Sequence, residues 1–143
     1  MTHKCKRIID GKTYNTETAT LVAGRDTDER QYTYSEYLYQ TRFGAFFRYH
    51  ALDGANEDDY ERITPLTPEE ARHWLEENYS YEPELIERYF GEMPEAGAGE
   101  VKFTLRMPES LRNRLAARAA ANKQSLNAWM VRCLEGCAAG EST

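Results

Sequence analysis

The sequence predicts an α+β protein, a small antiparallel sheet with covering helices followed by a C-terminal strand, helix and helix. Three observations predict it. Asp10-Gly11 lies between two short half-apolar runs, as a tight hairpin turn requires. "TPEEARHWLEENY" (67–79) opens with capping residues and continues at helical spacing. "VKFTLRMPESL" (101–111) alternates apolar and polar side chains, then runs through a proline into a helix.

Each element has its own local signal. In "KRIIDGKTYN" (6–15), Gly11 supplies the positive φ of a hairpin turn. In "NTETATLVAG" (15–24), Asn15 or Thr16 can cap a short helix that Gly24 would stop. "SEYLYQTRFGAFFRYHAL" (35–52) reads as a second hairpin, Tyr37 to Thr41 and Phe46 to Ala51, turning near Phe43-Gly44. Thr67 as N-cap, Pro68 at the first helical position and Glu70 three residues after the cap start the next helix. Ala71, Trp74, Leu75 and Asn78 share one face of it. A further helix from about Pro83 to Phe90 presents Leu85, Ile86, Tyr89 and Phe90, and Gly91 ends it. "PEAGAGE" lacks hydrophobic periodicity and divides the chain into an acidic α+β domain (1–93), a linker (94–100) and a C-terminal domain (101–143).

Composition limits the function classes. The chain has 143 residues, 41% hydrophobic and 29% charged, which suits one or two small domains. Its net charge of -6 divides unevenly: +2 over residues 1–50, -12 over 51–100 and +4 over 101–143. A basic segment behind an acidic block points to two separate binding roles. The sequence has no apolar run of membrane-spanning length and no secretion-signal core, so the expected location is the cytoplasm. Cys5, Cys133 and Cys137 give no disulfide framework and read as reduced thiols. His3, His50 and His73 fall in no metal-ligand spacing. Cys133 and Cys137, one helical turn apart, read as core residues rather than metal ligands. With no glycine-rich phosphate loop and no nucleophile elbow, neither catalysis nor a cofactor or metal is expected.

The C-terminal pattern lacks something. Val101, Phe103 and Leu105 line one face of the predicted strand, and Lys102, Thr104 and Arg106 line the other. Pro108 opens a helix carrying Leu111, Leu115 and Ala119. Ser125 caps a second helix carrying Leu126, Met130, Leu134 and Cys137, with Trp129 and Cys133. One strand and two helices cannot close a core alone. A second copy repairs this: two strands pair antiparallel about a twofold axis, and Val101, Phe103, Leu105, Leu111, Leu115, Met130 and Leu134 form the dimer core. The alternative is an edge strand whose polar face meets water.

"FTLRMPESLRNRLAARAAANKQSLNAWMVRCLE" resembles the ribbon-helix-helix DNA-binding domain of Arc-type phage repressors over roughly residues 101–137. The resemblance rests on the alternating strand ending in Arg106, the Met107-Pro108 entry to the first helix and the Ser125-Leu126-Asn127 start of the second. It implies a homodimer whose paired strands enter the major groove of double-stranded DNA. Lys102, Thr104 and Arg106 would then read base edges, while Ser125, Leu126 and Asn127 hold the phosphate backbone. Physical chemistry is compatible with that implication. A two-stranded ribbon fits the major groove, Arg106 can form a bidentate fork to guanine, and a helix N-terminus favours a phosphate. The chain departs from some family members in lacking a buried charged cluster, its places being taken by Gln124, Trp129 and Cys133.

Residues 1–93 resemble, more loosely, small proteins of bacteria and mobile elements, some of them linked to inhibition of CRISPR systems. The similar stretches are "KRIIDGKTYNTETAT" (6–20) and "ITPLTPEEARHWLEE" (63–77). Glu57, Asp58, Asp59, Glu69, Glu70, Glu76 and Glu77 form a candidate partner surface, presenting carboxylates where a basic nucleic-acid-binding protein expects phosphates. The ordinary reading of the same residues is a solvated acidic face. Three functions follow from the sequence: a DNA-binding repressor or autoregulator, an anti-CRISPR-type inhibitor acting through residues 1–93, or an antitoxin whose N-terminal domain neutralises a toxin.

Overall fold

The computed structural model describes residues 3–54 and 58–140. Glu57 of the candidate partner surface lies outside them. The order is β1 (Lys6–Ile9), β2 (Lys12–Asn15), β3 (Thr20–Glu29), β4 (Tyr32–Gln40), β5 (Phe46–Asp53), β6 (Tyr60–Leu66), α1 (Pro68–Tyr79), α2 (Pro83–Phe90), α3 (Glu109–Ala121) and α4 (Leu126–Ala138). Strands β1 and β2 form a hairpin, and β3-β4-β5-β6 form a separate antiparallel meander. The α+β expectation holds.

The two sheets and the helices stack because the central strands alternate. On β4 and β5, Leu38 and Phe46 face α1 and α2, meeting Ala71, Leu75, Tyr79, Ile86 and Tyr89. Tyr37, Tyr39, Phe47 and Tyr49 point to the opposite face, where Cys5, Ile9 and Tyr14 of the N-terminal hairpin region cover them with Ile63. Tyr39 stacks on Phe47 at 5.3 Å between centroids, and Tyr14 meets Phe47 edge-on. The centre of the meander, β4 and β5, is therefore covered on both faces.

The local signals decide most of the boundaries. Asp10 and Gly11 both take positive φ, 50° and 75°, and Lys6–Ile9 pairs with Lys12–Asn15 across that turn. Both partners of the capping box are present: the Thr67 hydroxyl accepts from the Glu70 N–H at 3.1 Å, and the Glu70 carboxylate accepts from the Thr67 N–H at 2.9 Å. Helix α2 begins at Pro83 and stops at Gly91, as the sequence predicts.

The predicted helix over residues 15–24 is corrected to a turn and a strand. The Asn15 side chain accepts the Glu17 N–H at 2.9 Å, and the Asn15 carbonyl accepts the N–H groups of Thr18 and Ala19. That is one turn of capping geometry, after which Thr20 enters β3 and pairs with Gln40. Gly24 does not stop a helix. It sits opposite Tyr37, whose ring fills the space a Cβ would need. A long-range ladder and the burial of Val22 outweigh a weak local helix signal. Strand β6 has no counterpart among the predicted elements.

Burial gives the aromatic face a pH signature. Burial pushes the Tyr37 phenol up to about 12, with a hydrogen bond to Asp26 adding to it. Burial and a 2.8 Å hydrogen bond to Glu61 push Tyr49 up as well. An unfolded tyrosine ionises near pH ~10. The folded state thus holds these protons more tightly, and their contribution is complete below about pH 10 and lost as pH rises through the folded values. Thermal unfolding followed across alkaline pH should show a midpoint that falls above about pH 10. In Tyr49→Phe, which has no phenol to ionise, the fall should be shallower.

Candidate nucleic-acid interface

Residues 101–108 belong to no helix and no β-ladder, so the strand expected at 101–106 is not formed within the single chain, which offers it no partner. Lys102, Thr104 and Arg106 are exposed, and so are the apolar residues between them: Val101 is 93%, Phe103 81% and Leu105 54% exposed. In a strand the two sets face opposite ways, so burying one leaves the other as a polar row. Pro108 ends the extended run with φ -59° and ψ 143°, and its carbonyl accepts the Arg112 N–H to start α3.

Helix α3 carries Arg112, Arg114 and Arg118 on exposed positions and turns its small residues Ala116 and Ala119 inward. Lys123 adopts a positive φ of 56° in the turn to α4, and the Gln124 N–H returns to the Ala119 carbonyl at 2.9 Å. Ser125 is the N-cap of α4: its hydroxyl accepts the Ala128 N–H at 3.1 Å. Its own N–H goes to the Tyr89 carbonyl at the end of α2. Ser125 is thereby 2% exposed, which makes it the cap that orients Leu126 and Asn127. The N–H groups of Leu126 and Asn127 have no acceptor among the described residues, and Asn127 is exposed.

The predicted dimer-core residues divide in the single chain. Leu111, Leu115 and Met130 are half-buried between the helices, whereas Val101, Phe103, Leu105 and Leu134 are exposed along with Val131. Cys133 and Cys137 are also exposed. Leu111, Leu115 and Met130 are thus half-covered on α3 and α4, while Val101, Phe103, Leu105 and Leu134 stay exposed.

On the acidic side, the carboxylates of α1 are more engaged than charge counting shows. Glu70 completes the capping box, Glu76 pairs with Arg72 at 2.8 Å, and Glu77 pairs with His73 at 2.8 Å. Glu69, Asp58 and Asp59 are exposed, and Asp59 accepts the Gly54 N–H at 2.8 Å. Sequence reasoning also missed a polar network on the helix-side face of the meander. Arg48 Nε donates to Glu36 at 2.8 Å, and the Tyr34 hydroxyl donates to the same carboxylate at 3.1 Å. Tyr34 and Glu36 border a small cavity of about 70 Å³ with Arg25, Trp74 and Asn78. The alternation of Tyr34, Glu36 and Leu38 on β4 was the available signal. Among the described residues no group of three or more His, Cys, Asp or Glu is placed to hold a metal ion, and no helix is long and apolar enough to cross a membrane.

Comparison with known proteins adds one match, and it falls on this interface. Residues 90–134 match the HicB family. No curated protein and no solved structure matches the chain. The HicB match covers just under a third of the chain, from the last residue of α2 through the extended run, α3 and the Ser125 cap into α4. Both predicted DNA-contacting sets, Lys102-Thr104-Arg106 and Ser125-Leu126-Asn127, lie inside it.

Replacing Ser125 by alanine should remove the cap and cost about 1 kcal/mol of stability, read as a lower urea midpoint with unchanged slope.

Proposed function

We propose that the chain is a homodimeric DNA-binding regulator of the antitoxin type, in which the helices and extended run form a ribbon-helix-helix unit and residues 1–93 hold a protein partner. The observation that carries this reading is the exposed, unpaired run Val101–Arg106 at the head of two helices, inside the HicB match. The HicB family is antitoxin-like and related to the ribbon-helix-helix fold, which supports the regulator half of the proposal, while the match does not reach residues 1–89.

The mechanism follows from pairing. Two copies of the run placed antiparallel satisfy each other's backbone groups and bury Val101, Phe103 and Leu105 against the helices. That leaves Lys102, Thr104 and Arg106 of both copies on one face of a two-stranded ribbon, sized for the major groove. Arg106 then forks to a guanine, Lys102 and Thr104 bond to neighbouring base edges, and the start of α4 meets a phosphate. No step makes or breaks a covalent bond, so the work proposed is binding, carried out in the cytoplasm. The partner of residues 1–93 is a toxin in this reading. Mimicry of phosphates by α1, as an inhibitor of a nucleic-acid-handling effector, has less support because Glu70, Glu76 and Glu77 already have intramolecular partners.

Selection of genomic DNA by the purified full-length protein tests the proposal, with a Lys102, Thr104, Arg106 triple-alanine variant as control. One near-palindromic site that disappears in the control is the expected result, and retention of no DNA by either protein would sink it. Arg106→Ala should lose roughly 1–3 kcal/mol on the selected site and little on unrelated DNA. Leu134→Ala should weaken self-association by about 2–5 kcal/mol in sedimentation while leaving the fold intact, since Leu134 is exposed in the single chain.

A further inference from the structure

The turn between α3 and α4 does not stand clear of the α+β part of the molecule. Besides the Tyr89 carbonyl that accepts the Ser125 N–H, the Gln40 side-chain amide at the end of β4 donates to the Gln124 carbonyl at 3.1 Å. Two glycines complete a seat for the helix pair. A Cβ at Gly44 would lie 3.2 Å from the Ala116 carbonyl oxygen, and one at Gly91 would lie 3.7 Å from the Ala128 methyl. Ala116 and Ala128 are correspondingly buried. Helix and turn are in direct contact, and a larger residue at either alanine meets backbone.

Two properties of this seat bear on DNA. It holds residues of the acidic portion beside the start of α4, the end that a phosphate would approach, and it takes up the Ser125 N–H there. The segment 51–100 carries a net -12 and the segment 101–143 a net +4, so the seat joins an acidic part of the chain to a basic one. The seat is also incompletely satisfied. The side-chain oxygens of Gln40 and Gln124 are both buried with no hydrogen-bond partner among the described residues. Such groups are unfavourable when kept from water. Opening the seat hydrates both.

We propose that this seat is an autoinhibitory latch. Closed, it fixes the α+β part beside the N-terminus of α4, with the Ser125 N–H taken up, and lowers the affinity for DNA. Open, the helix pair swings on the irregular stretch 91–108, freeing the Ser125 N–H and carrying the α4 terminus away from the acidic part. Any partner that binds the open form raises DNA affinity, and DNA raises the partner's affinity by the same factor. The inference rests on the DNA-binding reading above. It differs from a rigid mount, in which the seat aims the helices at DNA and opening it weakens binding.

Two variants of the full chain open the seat by separate routes. Ala116→Leu with Ala128→Leu presses on Gly44 and Gly91, and Gln40→Ala removes the donor to Gln124 without altering either C-terminal helix. Hydrogen exchange at the Ser125 amide reports opening independently of DNA, and fluorescence anisotropy on sheared genomic duplex DNA reports affinity. The latch requires faster exchange at Ser125 together with binding roughly tenfold tighter than the unaltered chain. Faster exchange with equal or weaker binding overturns the latch and leaves DNA binding standing. Unchanged exchange in both variants also overturns it, because the named contacts then do not hold the two parts together. If every protein binds DNA no better than the triple-alanine control, the DNA-binding reading falls and the latch falls with it.

Discussion

The architecture depends on the β4–β5 ladder, which runs from Thr33 opposite Asp53 to Gln40 opposite Phe46. The core side chains of β4 and β5 are assigned to a face by their position along these two strands. Even-numbered Leu38 and Phe46 go to the helices, and odd-numbered Tyr37, Tyr39, Phe47 and Tyr49 go to the hairpin. A slip of one residue would exchange the two sets and set the aliphatic and aromatic cores against the wrong covers. Because Gln40 is the last residue of β4 on the helix side, the same register delivers its amide to the α3–α4 turn. The C-terminal helices are therefore placed by a strand more than eighty residues away in sequence.

How much of this was legible in the sequence depended on whether the deciding interaction was local. The Asp10-Gly11 turn, the capping box at Thr67, the Pro83 start and the Ser125 cap are each decided within four residues, and all appear where the sequence places them. The segment 15–24 shows the opposite. Asn15 does satisfy nearby N–H groups, but the ladder to β4 then takes the chain, and nothing within ten residues announces that ladder. Strand β6 was hidden for a related reason: Pro65 interrupts the strand signal, although an edge strand tolerates it.

The candidate interface was legible in a similar proportion. Alternation in 101–106 and the helix starts are local patterns, and the residues they single out are exposed or placed at the start of α4. What surrounds them could not. The carbonyl that accepts the Ser125 N–H belongs to Tyr89, and the intramolecular partners of Glu76 and Glu77 depend on rotamers that charge counting ignores.

Pro65 has one more effect, on which strands are open to a visitor. It lies opposite Phe47 on the outermost strand of the meander, where proline has no N–H to offer a neighbour. The other outer strand, β3, carries Asp26, Asp28 and Glu29 along its exposed half, charges that discourage another strand from docking. Both flanks of the main sheet thus discourage an added strand, which leaves the uncovered run at 101–106 as the place where the proposed pairing of two copies would meet least competition. Crowded together at high concentration, such molecules would favour pairs over fibres.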